Sequence, residues 1–149
     1  MFNIALYQPD IPQNTGAIIR LCSCFNVTLE IIEPCGFFIN DKRLKRVAMD
    51  YLKETKIKTY KSYKDFLNKK KNSRVILMTT KAQKKYNNFK FKKKDTILFG
   101  RESSGVPKIV HKNSNQRLRI PIKKNVRSLN IGMAVAITLS EALRQNSKL

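Results

Sequence analysis

The sequence predicts an α/β domain, a mostly parallel sheet with helices on both faces. Two observations carry that expectation. Short apolar or β-branched runs, FNIAL, VTLEII, VILMT and ILF, are too brief for helices and are closed by Pro, Gly or polar residues. Between them lie segments whose apolar residues recur at helical spacing, and strands alternating with helices through one chain imply a covered parallel sheet. The 149 residues suit a single domain, expected to span 1–149, with neither an internal repeat nor a domain boundary.

In order, Phe2 to Leu6 reads as a buried strand ended by Gln8-Pro9-Asp10-Ile11-Pro12. A helix then begins near Gly16, because Ile18, Ile19, Leu21, Cys22 and Phe25 fall on helical spacing. Val27 to Ile32 is a second strand, β-branched and stopped by Pro34. Asp41 to Leu52 reads as one amphipathic helix, with Leu44, Val47, Ala48 and Tyr51 at i, i+3, i+4 and i+7. Ile57 to Tyr60 is a weak strand, and Ser62 caps a helix containing Tyr63, Phe66 and Leu67. Val75 to Thr79 and Ile97 to Phe99 are strands on either side of a basic, poorly patterned stretch, Lys81 to Lys94, read as a loop or short helix. Arg117 to Pro121 is a last strand. Leu129 to Leu143 is almost continuously apolar, which predicts a helix buried on most of its circumference.

Charge is the strongest compositional signal. There are 31 Lys+Arg against 10 Asp+Glu, a formal net charge of +21. Such a field attracts polyanions and makes nucleic acid the expected partner, although runs such as Lys69-Lys70-Lys71 and Lys92-Lys93-Lys94 can equally be solvated surface. No apolar run approaches the ~18 to 20 residues of a membrane span, and the opening MFNIALYQPD lacks the pattern of a signal peptide, so a cytoplasmic protein with no membrane partner is expected. Cys22, Cys24 and Cys35 cannot all pair within the chain and have no metal-ligand spacing. Reduced, packed cysteines and no metal are expected. The single histidine, His111, has no nucleophile near it in sequence, and neither a G-x-x-x-x-G-K loop nor a G-x-G-x-x-G fingerprint occurs.

Three stretches can carry chemistry. Pro12-Gln13-Asn14-Thr15-Gly16 with Arg20 would set an arginine one turn inside a helix start, where free N–H groups and the dipole favour anions; a surface arginine on a capped helix is the plain alternative. Thr96 to Pro107, TILFGRESSGVP, reads as a buried strand ending in a loop with one carboxylate, Glu102, between two glycines, and open α/β sheets bind ligands beyond the carboxyl ends of their strands. An ordinary surface turn has the same punctuation. Ile120-Pro121 with Arg127-Ser128-Leu129-Asn130 either binds a ligand or simply caps the last helix through Ser128 or Asn130.

Taken together, N-T-G-x-x-x-R at Asn14 to Arg20, F-G-x-E-x-x-G-x-P at Phe99 to Pro107, and I-P then R-S-L-N before A-V-A at Ile120 to Ala136 resemble, in order and spacing, the three motifs of the trefoil-knot (SPOUT) RNA 2′-O-ribose methyltransferases. The resemblance covers essentially the whole chain and is greatest to the small single-domain bacterial enzymes that methylate the wobble nucleotide of tRNA. It implies a deep C-terminal trefoil knot in the α/β fold and S-adenosylmethionine as methyl donor. It further implies cofactor contacts at Met78, Gly100, Ile120 and Ser128, with Glu102 and Leu129 as neighbours, largely through backbone groups. By the same resemblance Arg20 activates the ribose 2′-hydroxyl, Asn14 and Arg20 meet the substrate, the last helix forms a homodimer interface, and the partner is the anticodon arm of tRNA. Arginine is a poor base, its pKa lying above ~12, so its expected part is to position the hydroxyl and stabilise the developing alkoxide. Ser104 and Ser140 stand where the family has an arginine and an aromatic, and a histidine near Tyr51-Leu52 is missing; these departures bear on tRNA contact more than on the cofactor. A knotted methyltransferase for another tRNA or rRNA site, or a basic RNA-binding module without turnover, are the alternatives.

Overall fold

The computed structural model describes residues 1–146; residues 147–149 of the expected domain lie outside the described residues. Six strands form one sheet in the order β3-β2-β1-β5-β4-β6. They are β1 (Asn3–Tyr7), β2 (Thr28–Ile32), β3 (Ile57–Tyr60), β4 (Val75–Met78), β5 (Thr96–Phe99) and β6 (Gln116–Leu118). Every pairing between them is parallel.

Inner strands of a parallel sheet are buried on both faces, which is why β1, β2, β4 and β5 are almost entirely buried, whereas the edge strands β3 and β6 carry the exposed Lys58, Thr59, Gln116 and Arg117. Adjacent residues still divide between two cores, because side chains point to opposite faces in turn. Ile4 and Leu6 of β1 join a core with Ile18, Ile19 and Cys22 of α1 (Pro12–Cys24), Leu44 and Ala48 of α2 (Lys42–Ala48), and Ile131, Val135 and Leu139 of the last helix. Ala5 and Tyr7 face the second core, with Phe66 of α4 (Tyr63–Lys69) and Val110 of α5 (Lys108–Asn113). Helices therefore cover both faces, as the strand and helix alternation predicts.

Several boundaries differ from the expected ones. Helix α1 starts at Pro12, four residues before Gly16, because proline at the first helical position has its φ already set and gives up an N–H with no partner there anyway. Gly16 is instead a packing residue: a Cβ there would lie 2.7 Å from the Leu44 carbonyl oxygen, so glycine lets α1 and α2 approach. The expected Asp41 to Leu52 helix is broken at Met49, whose φ of 53° is left-handed, into α2 and a short α3 (Tyr51–Glu54). Ser62 does cap α4, accepting from the Asp65 N–H at 3.1 Å. The basic stretch holds a single 3-10 turn at Tyr86–Asn88, and α5 has no counterpart among the predicted elements. Of the cysteines, Cys22 is buried, Cys35 is partly covered and Cys24 is exposed, so only two of the three act as packing residues.

The last helix, α6 (Ile131–Asn146), is not buried on most of its circumference. One stripe, Ile131, Val135, Thr138, Leu139 and Ala142, meets the core. On the other side Met133 is 60% exposed and Ile137 37%, with Leu129 just before the helix at 39%. An apolar helix with a bare apolar side is what the continuous apolar run becomes in one isolated chain.

Candidate active site

The chain order changes direction at β1: β2 and β3 lie to one side, β5, β4 and β6 to the other. Ligands of open α/β sheets bind at such a switch point, beyond the carboxyl ends of the strands. A cavity of about 590 Å³ opens there, between the ends of β4 and β5, the residues before α6 and the start of α1. A smaller apolar recess of about 90 Å³ continues from it, lined by Met78, Phe99, Ile120, Ile122, Leu129 and Ala134 among others. Residues 119–130 leave β6 at the sheet edge and return across the ends of β4 and β5 to reach α6, so Ile120 and Leu129 face Met78 although far from it in sequence.

The loop after β5 is shaped by its two glycines. Gly105 has φ of 67° and turns the chain back, so that Arg101 and Gly105 exchange two backbone hydrogen bonds, at 3.0 and 2.8 Å. Gly100 sits against the returning strand: a Cβ there would come within 2.8 Å of the Gly105 backbone. The result is a closed loop whose polar residues stand over the cavity.

Glu102 is held in that loop by the segment between β1 and α1. Its Oε2 accepts from the Asp10 N–H at 3.1 Å, while the Ser103 hydroxyl donates to Asp10 Oδ2 and Arg101 Nε lies 3.7 Å from the same oxygen, an ion pair too long for a hydrogen bond. Burial and the neighbouring Asp10 carboxyl raise the pKa of Glu102, and the hydrogen bond between the two lowers that of Asp10. Asp10 Oδ1, Glu102 Oε1 and Arg101 Nε are buried with no hydrogen-bond partner among the described residues. Arg101 and Glu102 line the cavity, and Asp10 stands behind them.

Asn130 joins two of the sequence motifs. Its Oδ1 caps α6 by accepting from the Gly132 and Met133 N–H groups at 2.8 and 3.4 Å, and its Nδ2 donates to Asn14 Oδ1 on α1 at 3.0 Å. Of the two capping candidates, Asn130 is therefore the cap, and Ser128 is free to face the cavity.

Of the expected site residues, Met78, Gly100, Glu102, Ser128, Leu129 and Asn14 line the main cavity, and Ile120 lines the recess that continues it. Arg20 is not among the lining residues. Because α1 begins at Pro12, Arg20 stands two turns into the helix rather than one, away from the free N–H groups. Its guanidinium lies 5.4 Å from the centre of the Tyr51 ring, with Nη1 3.8 Å from Met49 Sδ. Sequence reasoning missed Asp10, although an acidic residue between two prolines just beyond a strand is a visible signal, and it missed the lining residues Lys81 and His111; Arg127, part of the candidate stretch Arg127-Ser128-Leu129-Asn130, lines the cavity as well. Burial, then Lys81 and Arg117, lower the pKa of His111. Burial pushes the Cys22 and Cys35 thiols up to about 12 and about 11, so neither is a thiolate near neutral pH.

Residues 1–140 match the SpoU rRNA methylase family. The chain belongs to that family. Among curated relatives of this SpoU protein, the tRNA (cytidine(34)-2′-O)-methyltransferase of Beijerinckia indica subsp. indica is 44% identical over 144 residues, covering 95% of this chain and 90% of the relative. The enzyme of the same name from Escherichia coli (strain K12) is 39% identical, covering 97% and 94%. A solved structure described as "Structural insights into the 2-OH methylation of C/U34 on tRNA" superposes with a TM-score of 0.94 at 34% identity, covering 97% of this chain and 95% of that one. The SpoU methyltransferase AviRb of Streptomyces viridochromogenes, solved in complex with the cofactor AdoMet, shares the fold at a TM-score of 0.89 and 19% identity.

Proposed function

We propose that this SpoU protein transfers a methyl group from S-adenosylmethionine to the ribose 2′-hydroxyl of the wobble nucleotide in the anticodon loop of tRNA. The observation that carries the reading is the convergence of Met78, Gly100, Glu102, Ile120, Ser128 and Leu129, from three separate parts of the chain, on one cavity at the carboxyl edge of the sheet. The near full-length match to enzymes named for that reaction supports it.

The residues present fit the cofactor. The recess offers an apolar slot suited to the flat faces of an adenine ring. Glu102, which lines the cavity with Asp10 behind it, is the carboxyl placed to lie near a sulfonium or an ammonium. When bound, S-adenosylmethionine supplies the electrophilic methyl group. No metal is needed for that chemistry, and among the described residues no group of three His, Cys, Asp or Glu side chains could hold one. The return of residues 119–130 across the ends of β4 and β5 is the segment we assign to the trefoil knot of the family.

Arg20 carries the substrate side of the reading. Outside the cavity of its own chain, it acts in a homodimer, in which Arg20 of one subunit faces the cavity of the other. The bare apolar side of α6, with Met133, Ile137 and the preceding Leu129, is the surface that such a dimer covers. Arg20 then orients the 2′-hydroxyl and stabilises the negative charge that grows on its oxygen as the hydroxyl proton passes to an RNA phosphate, while Asn14, tied to Asn130, borders the same space. A tRNA substrate places the reaction in the cytoplasm.

The test is methyl transfer itself. Purified protein with radiolabelled S-adenosylmethionine should label tRNA, and mapping 2′-O-methyl groups in the tRNA pool with and without the gene should show the loss of one in the anticodon loop. Loss of a methyl elsewhere in tRNA or in rRNA moves the substrate, and absence of cofactor binding leaves only an RNA-binding module.

A further inference from the structure

Next to the cavity a second depression, of about 940 Å³, runs between residues 81–84 and α5, over Ser114, Asn115, Gln116 and Arg117 at the outer edge of the sheet. Its walls carry Lys81, Lys84, Lys108, Lys112 and Arg117, and no carboxylate lines it. All five of these residues are exposed, and among the described residues none is paired with an acidic side chain. Lys81 and His111 line both this groove and the cavity, so the two form one continuous depression. The cavity itself is bordered by Glu102; the groove is lined by cations and neutral residues, with no carboxylate.

We infer that this groove holds the sugar-phosphate backbone of the tRNA strand flanking the nucleotide that enters the cavity. The inference rests on the methyltransferase reading for what lies in the cavity, and adds where the substrate strand runs. An open trough with several unpaired cations suits a chain of phosphates better than a compact anion, because each cation can meet a different phosphate and release its counterion. Its junction with the cavity at Lys81 and His111 lets one strand occupy both without a break. Phosphate contacts of this kind fix register and orientation and leave the choice of nucleotide to the cavity and its rim.

The experiment compares two double variants of the full-length protein. Lys108→Gln with Lys112→Gln removes two groove cations on α5. Lys92→Gln with Lys93→Gln removes two exposed lysines just before β5, at the amino edge of the sheet, opposite the cavity. Each protein is assayed for tRNA binding from low to high salt, for the KM of tRNA in methylation, and for S-adenosylmethionine binding by calorimetry. The groove pair is expected to raise the KM of tRNA and to flatten the log-log salt dependence by about 1.4, at roughly 0.7 per lost single-strand contact, with cofactor affinity unchanged. The amino-edge pair should leave the salt slope and KM at native values. The inference is overturned if the groove pair keeps the native slope and KM, if the amino-edge pair shifts them equally, or if duplex DNA of matched length competes as well as tRNA. A native protein that neither binds S-adenosylmethionine nor methylates tRNA defeats the methyltransferase reading instead, and the slopes then still decide the groove.

Discussion

Asn130 and Asn14, 116 residues apart in sequence, meet side chain to side chain at 3.0 Å and join the start of the last helix to the first. The same Asn130 caps α6. An asparagine can donate and accept at once, so a carboxylate at either position alone can still be met by the amide of the other, turned over where necessary. Asn14→Asp and Asn130→Asp should therefore each melt close to the native protein. The double variant sets two carboxylates against each other, and its loss of stability should exceed the sum of the single losses in a double-mutant cycle. Asn130→Ala, which removes cap and bridge, should cost about 1 kcal/mol or more in denaturant unfolding.

The two loop glycines should respond differently to alanine. Gly105 has no atom within 4 Å of the place a Cβ would take, so Gly105→Ala meets only left-handed backbone strain, about 1–2 kcal/mol. Gly100→Ala drives a methyl group into the Gly105 backbone, which cannot move without opening the loop that borders the cavity. Calorimetric titration with S-adenosylmethionine should accordingly show a much greater loss of affinity for Gly100→Ala than for Gly105→Ala. Equal losses would mean that the loop does not hold the cofactor.

That loop was legible in the sequence, because a buried apolar strand, a glycine and a lone carboxylate announce a strand end built to face a ligand. The stretch holding Ile120 and Leu129 stood out locally as a binding stretch or a cap, but their place beside Met78 was legible only through the family resemblance, since nothing local says that a chain leaving the sheet edge comes back over two other strand ends. The start of α1 was misplaced by treating Pro12 as loop punctuation, when proline at the first helical position is favoured. The break at Met49 has no sequence signal, as the helical spacing from Leu44 to Tyr51 runs through it. On α6 the apolar pattern is real, but only one stripe meets the core; a sequence cannot distinguish a face buried in its own fold from one left for a partner.

The Asp10–Glu102 contact makes a prediction about pH. The pKa of Glu102 is raised in the folded protein, so its ionisation works against folding: the contribution of the protonated group is present at low pH and is lost as pH rises through the folded pKa. Glu102→Gln can still accept from the Asp10 N–H and carries no charge. It should melt above the native protein at pH 7, and the advantage should vanish in acid, where native Glu102 is protonated. Asp10, whose pKa is lowered, behaves oppositely, and its stabilising part is lost as pH falls through its folded pKa. Melting curves of Glu102→Gln and Asp10→Asn should therefore lie on opposite sides of the native curve at neutral pH, the first above and the second below, and both should approach it in acid.

Far from the cavity, Lys70 and Glu30 form a buried ion pair, Nζ lying 2.7 Å from Oε1 and 2.6 Å from Oε2, with the Tyr60 hydroxyl donating to Oε1 at 3.1 Å. Glu30 is fully buried in β2, so removing its partner leaves an uncompensated charge inside the sheet. Lys70→Met should cost about 3–5 kcal/mol, and adding Glu30→Gln should return much of it. Denaturant unfolding of the single and double variants checks this, and methylation by the double variant should persist because the pair lies outside the site.

Arg20 provides the sharpest test of the site, because its place in one chain and its proposed part differ. It stacks near Tyr51 and Met49, outside the cavity. If it serves the other subunit, Arg20→Ala should bind S-adenosylmethionine as the native protein does and lose methylation of tRNA by orders of magnitude. Mixing it with the Gly100→Ala chain should then restore activity, since one of the two sites in a mixed dimer would combine a native cavity with a native Arg20. Arg20 acting within its own chain predicts no rescue, because each site of the mixed dimer would carry one of the two defects. Arg20→Lys keeps the charge but not the planar fork and should recover only part of the rate. Tyr51→Leu should lower the rate less than Arg20→Ala, through loss of the ring that holds the guanidinium in place, and unchanged turnover in Arg20→Ala would remove this residue from the reaction altogether.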